Sequence, residues 1–246
     1  LNINNSERNS FFLLFKFHYF MKMRKILIIW FVLFIGCESN NSISKKEHSM
    51  YWHKNSAEYK ALCIQAYNIA RKKLDIELSK DHSNNLAIVV DIDETILDNT
   101  PYNEMLIEKK ESYNQKNWSD WVNKKIAKAI PGSIDFLTYA NSSGVEIIYL
   151  SNRKIENYKP TKLNLQKLGF PFKKNTQMLL RENTRDKKSR RNAIEKFKVI
   201  MYIGDNLGDF EGEYFDKNNK ERWDIANSES KLYGDKFILI PNLIYG

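Results

Sequence analysis

The chain has 246 residues and a formal net charge of +9, from 39 Lys and Arg against 30 Asp and Glu. The basic residues are scattered among acidic ones, and no zinc-ligand spacing, helix-turn-helix pattern or aromatic sheet motif occurs, so nucleic-acid binding is not expected. The sequence also has no Gly-rich P-loop, and its four histidines show no catalytic or metal-ligand spacing. These observations argue against a nucleic-acid-binding protein, a P-loop NTPase and a histidine phosphatase.

The N-terminal segment has the layout of a secretory signal. Residues 1–20 begin with Leu and read as an upstream extension, so the expected start is Met21 or Met23. A basic stretch follows, and then the apolar run 26–35 and a small residue directly before Cys37. This run is too short to cross a bilayer, which takes about 20 residues.

The junction before Cys37 resembles a bacterial lipoprotein signal, in which that cysteine becomes the lipidated N-terminus. Phe34 stands where such signals usually carry Leu. Several acyl chains anchor a protein firmly, because each buried CH₂ contributes about 0.8 kcal/mol. We therefore expect residues 1–36 to be extension and signal peptide, 37–50 a flexible lipidated tether, and 51–246 one functional domain.

Helical and apolar strand patterns alternate along this domain. Helices are predicted near residues 56–78, 118–127, 132–141, 159–168 and 187–196, and strands near 86–90, 145–150, 177–180, 199–203 and 237–240. This alternation predicts an α/β fold with a doubly wound, Rossmann-like parallel sheet. The stretch at about 97–131 is too long for a plain crossover, so we expect it to form a small helical cap.

Acidic residues follow two of the predicted strands. Asp91, Asp93 and Thr95 form a D-x-D-x-T motif after the first, and Asp205 and Asp209 follow the fourth. The D-x-D-x-T motif alone also fits an ordinary turn after a strand. Ligands of open α/β sheets bind outside the carboxyl ends of the strands, and clustered carboxylates there would repel one another without a cation. Oxygen ligands with no nearby His or Cys favour Mg²⁺ beside a phosphate.

Another predicted strand, 145–150, ends in Ser151-Asn152-Arg153. A hydroxyl and an amide at a strand end can hydrogen-bond phosphate oxygens, although this tripeptide taken alone reads as an ordinary turn.

These motifs, together with a downstream Lys, occur in the order found in the haloacid dehalogenase (HAD) superfamily of phosphotransferases, which the chain therefore resembles. Longer segments, DIDETILDNTPY at 91–102, GDNLGDF at 204–210 and LIPNLIYG at 239–246, are similar to the bacterial class C acid phosphatases. That family is also called the lipoprotein e family of outer-membrane 5′-nucleotidases. The resemblance covers roughly residues 51–246.

The resemblance implies a role for each acidic residue. Asp91 would be the nucleophile that forms an aspartyl-phosphate, and Asp93 the general acid that then activates water. Mg²⁺ would be held by the Asp91 and Asp205 carboxylates and the Asp93 backbone carbonyl. Asp209 would contact or steady the ion.

The resemblance also implies the phosphate ligands, which would be Thr95, Ser151, Asn152 and a Lys. Lys187 fits the position of that Lys best, and Lys188 is left open as the alternative. We interpret Lys188 and the arginines that follow it, Arg190 and Arg191, as a solvated helix face.

Substrate choice is expected to depend on the cap. Trp118 and Tyr245 match positions where nucleotidases of this family present aromatic rings to a base, and stacking is worth about 1–3 kcal/mol per base. Filling of the cap core is an equal alternative for Trp118 and the preferred interpretation for Trp121.

The expected function is therefore a Mg²⁺-dependent phosphomonoesterase, acid phosphatase or 5′-nucleotidase, that acts on nucleoside monophosphates. It would be an outer-membrane lipoprotein, in the periplasm or at the cell surface, attached to the membrane through its lipid anchor. Broad activity on sugar or aryl phosphates is the first alternative, and a non-catalytic ligand-binding lipoprotein is the second. The oligomeric state is left open, with a homo-oligomer among the options.

Overall fold

The computed structural model of the chain describes residues 41–80, 85–211 and 213–245. The expected extension, the signal peptide and Cys37 lie outside the described residues. The chain divides into two units, residues 1–46 and 47–246. The fold and the site described below belong to the second unit.

A five-stranded parallel sheet forms the centre of this unit. Its strands are β1 (Leu86–Val90), β4 (Glu146–Lys154), β5 (Met178–Arg181), β6 (Lys198–Gly204) and β7 (Phe237–Leu239), in the order β5-β4-β1-β6-β7. In the middle strand, Val90 lies opposite Tyr149 of one neighbour and Ile203 of the other. The carboxyl ends of the three central strands therefore meet at one edge.

Alternate residues of β1 pack into different hydrophobic clusters. Ile88 and Val90 belong to one cluster, and Ala87 and Val89 belong to the other. Since successive side chains of a strand point to opposite faces, the sheet is covered on both sides. The prediction of a doubly wound parallel α/β sheet is confirmed. The remaining helices of this core are α2 (Ala57–Leu78), α5 (Ser133–Ser142), α6 (Tyr158–Leu168), α7 (Lys188–Asn192) and α8 (Asn219–Ser228).

Between β1 and β4 the chain forms a small helical insertion. Its helices are α3 (Thr100–Glu108) and α4 (Gln115–Lys124), and a short antiparallel ribbon of β2 (Leu97–Asp98) and β3 (Lys128–Ala129) closes its base. The helix α4 begins earlier than the predicted residue 118, because Asn114 and Asn117 form a capping box at its N-terminus. This insertion occupies the segment where a cap is expected.

The first described helix, α1 (Asn41–Asn55), overlaps the segment 37–50 that is predicted to be a flexible tether. No Gly or Pro interrupts residues 38–55, and Met50 and His53 are buried. The segment is helical from Asn41 onward, and its role as a lipidated tether remains a prediction. Among the described helices, none combines the length and the apolar character needed to cross a membrane.

Candidate active site

The loop after β1 carries the D-x-D-x-T motif back across the end of the sheet. The Asp91 N–H donates to the Ile203 carbonyl at 2.9 Å, which continues the pairing of β1 with β6. Glu94 takes a left-handed φ of 56°, and the N–H of Leu97 then returns to the Ile92 carbonyl at 2.8 Å. The loop therefore holds its polar side chains at the carboxyl edge of the sheet.

Three carboxylates converge at this edge. Asp91, Asp205 and Asp209 each offer an oxygen, these oxygens all lie within 4.8 Å of one another, and the residues are only 7–9% exposed. Burial raises the pKa of the Asp91 carboxyl to about 7, although the Lys187 ammonium opposes this effect. Burial and the neighbouring Asp209 carboxylate raise the pKa of Asp205 as well. An all-oxygen set whose members repel one another is suited to a hard divalent cation.

The turn after β6 fixes Asp209. Its Oδ2 accepts a hydrogen bond from the Asn206 N–H at 2.9 Å, and the Asn206 side chain accepts one from the Gly208 N–H at 3.0 Å. A Cβ on Gly204 would lie 2.3 Å from the Asp209 Cβ. Only a glycine at position 204 therefore lets the Asp209 side chain pack this closely against the end of β6.

Asp205 is held from two sides. Its Oδ1 accepts from the Thr95 hydroxyl at 2.9 Å, and its Oδ2 accepts from the Asn242 amide at 2.7 Å. The structure thus directs Thr95 toward a carboxylate of the acidic cluster. The predicted phosphate-binding role of Thr95 remains a prediction.

Lys187 lies inside the cluster. Its Nζ donates to the Leu150 carbonyl at 2.7 Å, to the Asp209 Oδ1 at 2.7 Å and to the Asp91 carboxylate. The Lys187 side chain is only 2% exposed. By contrast, the Lys188 side chain is 66% exposed and pairs with Glu213. The structure therefore favours Lys187 over Lys188 as the lysine of the site.

Ser151 and Asn152 lie where β4 passes the same edge. Ser151 is buried, and its Oγ accepts from the Arg153 N–H at 3.1 Å, whereas Asn152 is exposed. The Arg190 guanidinium donates to the Ser151 carbonyl and to the Asn152 side chain, both at 2.7 Å. The interpretation of Arg190 as part of a solvated helix face is therefore wrong, because the single-turn helix α7 directs this side chain back onto β4.

Arg153 is a site residue that the sequence reasoning missed. The strand β4 continues through Lys154, and Arg153 is only 3% exposed. Its Nη2 donates to the Asp93 Oδ1 at 2.7 Å, and its Nε lies 3.0 and 3.2 Å from the two oxygens of the same carboxylate. The Thr161 hydroxyl accepts from Nη1 at 2.9 Å. The reading of Ser-Asn-Arg as an ordinary turn is wrong.

The Asp93 carboxylate is therefore separate from the acidic cluster. Within the described chain, the group of carboxylates able to share a cation comprises the side chains of Asp91, Asp205 and Asp209. The Asp93 side chain instead pairs with Arg153. A metal contact through its backbone carbonyl remains a prediction.

Aromatic residues of the insertion lie close to this pair. The Trp118 ring is half-buried, its centroid is 4.9 Å from that of Tyr102, and the Arg153 guanidinium carbon lies 5.5 Å from it. Trp121 is buried, in line with a place in the cap core. The structure thus brings Trp118 next to the D-x-D loop.

The C-terminal segment closes another side of the site. The Leu243 N–H donates to His53 Nε2 of α1 at 2.9 Å, and Asn242 binds Asp205. Tyr245, 46% exposed, donates its hydroxyl to the Glu94 carboxylate. The predicted site residues that the structure describes therefore lie around one edge of the sheet, and their roles remain predictions.

Comparisons with known proteins identify the family. A family model for the HAD superfamily, subfamily IIIB (acid phosphatase), matches residues 37–246. The chain belongs to this family. It is similar to two solved structures of the class C acid phosphatase from Bacillus anthracis, one with tungstate bound. Each shows 38% identity and a TM-score of 0.79, with 83% of this chain and 86% of that chain covered.

Among curated proteins, this acid phosphatase family member is similar to a stem 31 kDa glycoprotein of Glycine max. The two are 30% identical over 142 residues, which are 54% of this chain and 55% of the glycoprotein. A stem 28 kDa glycoprotein of the same plant is 32% identical over 114 residues, which are 46% of this chain and 42% of that protein. The chain thus spans about half the length of the curated relatives it matches. The expected membership of the class C acid phosphatases is confirmed.

Proposed function

We propose that this protein is a Mg²⁺-dependent phosphomonoesterase that works through an aspartyl-phosphate on Asp91. The observation that carries this proposal is the convergence of three buried carboxylates and Lys187 at the end of the central strand. A carboxylate next to a fixed cation is a known covalent nucleophile in phosphoryl transfer. Membership of an acid phosphatase family supports the same reaction class.

The acidic cluster provides the ligands that Mg²⁺ prefers. Asp91, Asp205 and Asp209 would hold the ion with carboxylate oxygens, and Asp93 would add its backbone carbonyl. When bound, the ion offsets the negative charge that otherwise keeps a phosphate away from an anionic nucleophile. Thr95 and Asn242 hold the Asp205 carboxylate in place for this purpose.

The protein's own side chains carry the two chemical steps. The Asp91 carboxylate attacks phosphorus while the bond to the leaving oxygen breaks, and the Asp93 carboxyl gives that oxygen a proton. In the second step, Asp93 takes a proton from a water molecule as the water oxygen attacks phosphorus, and phosphate and the free Asp91 carboxylate are released. Lys187 stabilises the ionised form of Asp91, because its ammonium group lowers the pKa that burial raises.

The phosphoryl oxygens need ligands of their own. Ser151 and Asn152 follow Leu150 in β4, whose carbonyl binds Lys187, and are proposed to hold these oxygens. Because Arg190 binds the Ser151 carbonyl and the Asn152 side chain, it fixes this part of the phosphate site.

A nucleoside monophosphate is the proposed substrate. The Trp118 ring contacts Arg153, which pairs with Asp93, and the Tyr245 hydroxyl donates to Glu94 of the same loop. Stacking on one aromatic ring contributes about 1–3 kcal/mol, which corresponds to roughly 5- to 150-fold in affinity. Trp118→Ala should therefore lower kcat/KM for a nucleotide by such a factor and leave p-nitrophenyl phosphate largely unaffected. Equal effects on both substrates would instead favour a broad acid phosphatase that acts on sugar and aryl phosphates.

Location is a separate proposal. We propose that Cys37 is lipidated after signal removal and that the enzyme is held on the outer membrane, in the periplasm or at the cell surface. The sequence layout before Cys37 supports this. Labelling of cells with radioactive palmitate should mark the wild type but not Cys37→Ser. Equal labelling of both would rule out this anchor.

The activity test is phosphate release from a nucleoside 5′-monophosphate by the purified protein. We expect release with Mg²⁺, none with a chelator, and a loss of at least about 10³-fold in Asp91→Asn, since the amide is not a nucleophile. A folded protein that releases no phosphate from any monoester would contradict the proposal and favour a ligand-binding lipoprotein.

A further inference from the structure

Asn99, at the start of α3, links the insertion to the D-x-D loop. Its side chain is buried, with the residue 1% exposed. The Asn99 Nδ2 donates to the Asp93 Oδ1 at 2.9 Å, and the Asn99 Oδ1 accepts from the Trp121 indole Nε1–H at 2.9 Å. A buried chain of two hydrogen bonds therefore runs from α4 to the Asp93 carboxyl.

The chemistry of Trp121 decides which way the Asn99 amide points. An indole N–H can only donate, so Asn99 must turn its oxygen toward Trp121 and its NH₂ group toward Asp93. A flipped amide would place two donors face to face at Trp121 and two acceptors face to face at Asp93. The amide orientation is thus fixed by a residue of the insertion.

The hydrogen bonds at Asp93 are concentrated on one oxygen. Oδ1 accepts from Asn99 at 2.9 Å and from the Arg153 Nη2 and Nε at 2.7 and 3.0 Å. From the residues that the structure describes, Oδ2 receives a single hydrogen bond, from the Arg153 Nε at 3.2 Å. Because Oδ1 is occupied by three donors, a proton on this carboxyl belongs on Oδ2.

We infer that Asn99, oriented by Trp121, is a positioning residue that presents the Asp93 Oδ2 to the leaving-group oxygen. This inference rests on the proposed function, in which Asp93 is the general acid. The proton moves from Oδ2 to the leaving oxygen as its bond to phosphorus breaks, and Oδ2 recovers a proton from the attacking water in the second step. The insertion thereby contributes to the chemistry as well as to substrate choice.

The backbone of Asn99 makes a separate contact that side-chain variants leave in place. Its N–H donates to the Glu94 Oε1 at 3.1 Å. Substitution of the Asn99 side chain therefore removes the link to Asp93, together with the longer Nδ2 contacts to the Glu94 Oε2 at 3.4 Å and the Leu97 carbonyl at 3.5 Å, while this backbone anchor of the loop remains.

The test compares a substrate that needs a general acid with one that does not. An alkyl phosphate, such as β-glycerophosphate, leaves as a strongly basic alkoxide, whereas p-nitrophenyl phosphate leaves as a stable phenolate. General acid catalysis is typically worth about 10²- to 10⁴-fold, so Asn99→Leu should lower kcat/KM for the alkyl phosphate about 10- to 100-fold more than for p-nitrophenyl phosphate. The ratio kcat/KM is used because it reports the steps up to phosphoryl transfer to Asp91.

Trp121→Phe provides a second variant that keeps the aromatic ring and removes only the N–H. It should shift the substrate ratio in the same direction by about 3- to 10-fold, a smaller share of the general acid effect because the Asn99 amide is still present beside Asp93 and loses only the hydrogen bond that orients it. Trp223→Phe, at a residue 65% exposed, is the matched control and should leave the ratio unchanged.

The outcomes separate the inference from the proposed function. Wild-type protein that hydrolyses neither these two substrates nor a nucleoside 5′-monophosphate would overturn both. If the wild type is active, two results would overturn the inference alone. In the first, Trp121→Phe has the same substrate ratio as the wild type. In the second, kcat/KM falls equally for both substrates, because a purely structural role lowers both rates together. The melting temperatures of all variants are measured together with the kinetics. If Asn99→Leu fails to fold, Trp121→Phe alone tests the inference.

Discussion

Substitution of Gly204 by Ala tests whether the acidic cluster depends on close packing between β6 and the following turn. An alanine Cβ at this position would lie 2.3 Å from the Asp209 Cβ and 2.4 Å from its Oδ2. Ordinary contacts begin near 3.4 Å. Asp209 would therefore have to retreat by about 1 Å, which is enough to break its hydrogen bond with the Asn206 N–H.

This displacement should weaken both the fold and the cation site. Overpacking of this kind costs about 1–3 kcal/mol, which corresponds to a decrease of about 2–12 °C in melting temperature for a domain of this size. Because Asp209 is one of the three carboxylates that share the site, we expect the Mg²⁺ concentration for half-maximal phosphate release to rise about 10- to 100-fold.

Gly208→Ala is the matched control within the same turn. An added Cβ there would lie 3.3 Å from the Asn206 Oδ1. Differential scanning fluorimetry and a Mg²⁺ titration of phosphate release should show a small effect for Gly208→Ala and a large one for Gly204→Ala. Equal Mg²⁺ requirements and melting temperatures in Gly204→Ala and wild type would refute the reasoning.

Three further predictions concern the same cluster. Lys187→Met should lower the rate of phosphate release at least about 10²-fold, because it removes the buried ammonium group. Lys188→Met should remain near the wild-type rate, because Lys188 is exposed. Similar losses in both variants would contradict the assignment of Lys187 to the site. Asn242→Leu leaves the Asp205 Oδ2 without this donor and should raise the Mg²⁺ requirement about 10-fold, which a metal titration checks. The pKa of Asp91 is raised to about 7, so protons compete with Mg²⁺ below that pH and the metal binds an ionised carboxylate above it. The increase in melting temperature on adding Mg²⁺ should therefore be larger at pH 8 than at pH 5, and a pH-independent increase would count against this carboxylate as a ligand.

Much of the fold followed from local patterns. Strands such as β1 and β6 are short apolar runs that end at acidic motifs, and a sheet buried on both faces requires such runs. The position of Lys187 followed from the order of motifs in the family. The ribbon of β2 and β3 was not predicted, because two-residue strands leave almost no pattern.

The contacts that complete the site could not be predicted from the sequence. Arg153 and Asp93 are 60 residues apart, and Thr95 and Asp205 are 110 apart. Such pairs are set by the order and register of the strands, which bring distant strand ends together. The tripeptide 151–153, interpreted without these distant contacts, therefore suggested a turn and not a buried partner for Asp93.

The most direct test of the account is to trap the phosphorylated intermediate. Asp93→Asn removes the base of the second step, and an aryl phosphate still transfers its phosphoryl group because its leaving group needs no proton. Rapid acid quenching of this variant with a ³²P-labelled aryl phosphate and Mg²⁺ should give a covalent, hydroxylamine-sensitive label that peptide mapping assigns to Asp91. A label on any other residue, or turnover in the wild type with no label in either protein, would contradict the aspartyl-phosphate mechanism.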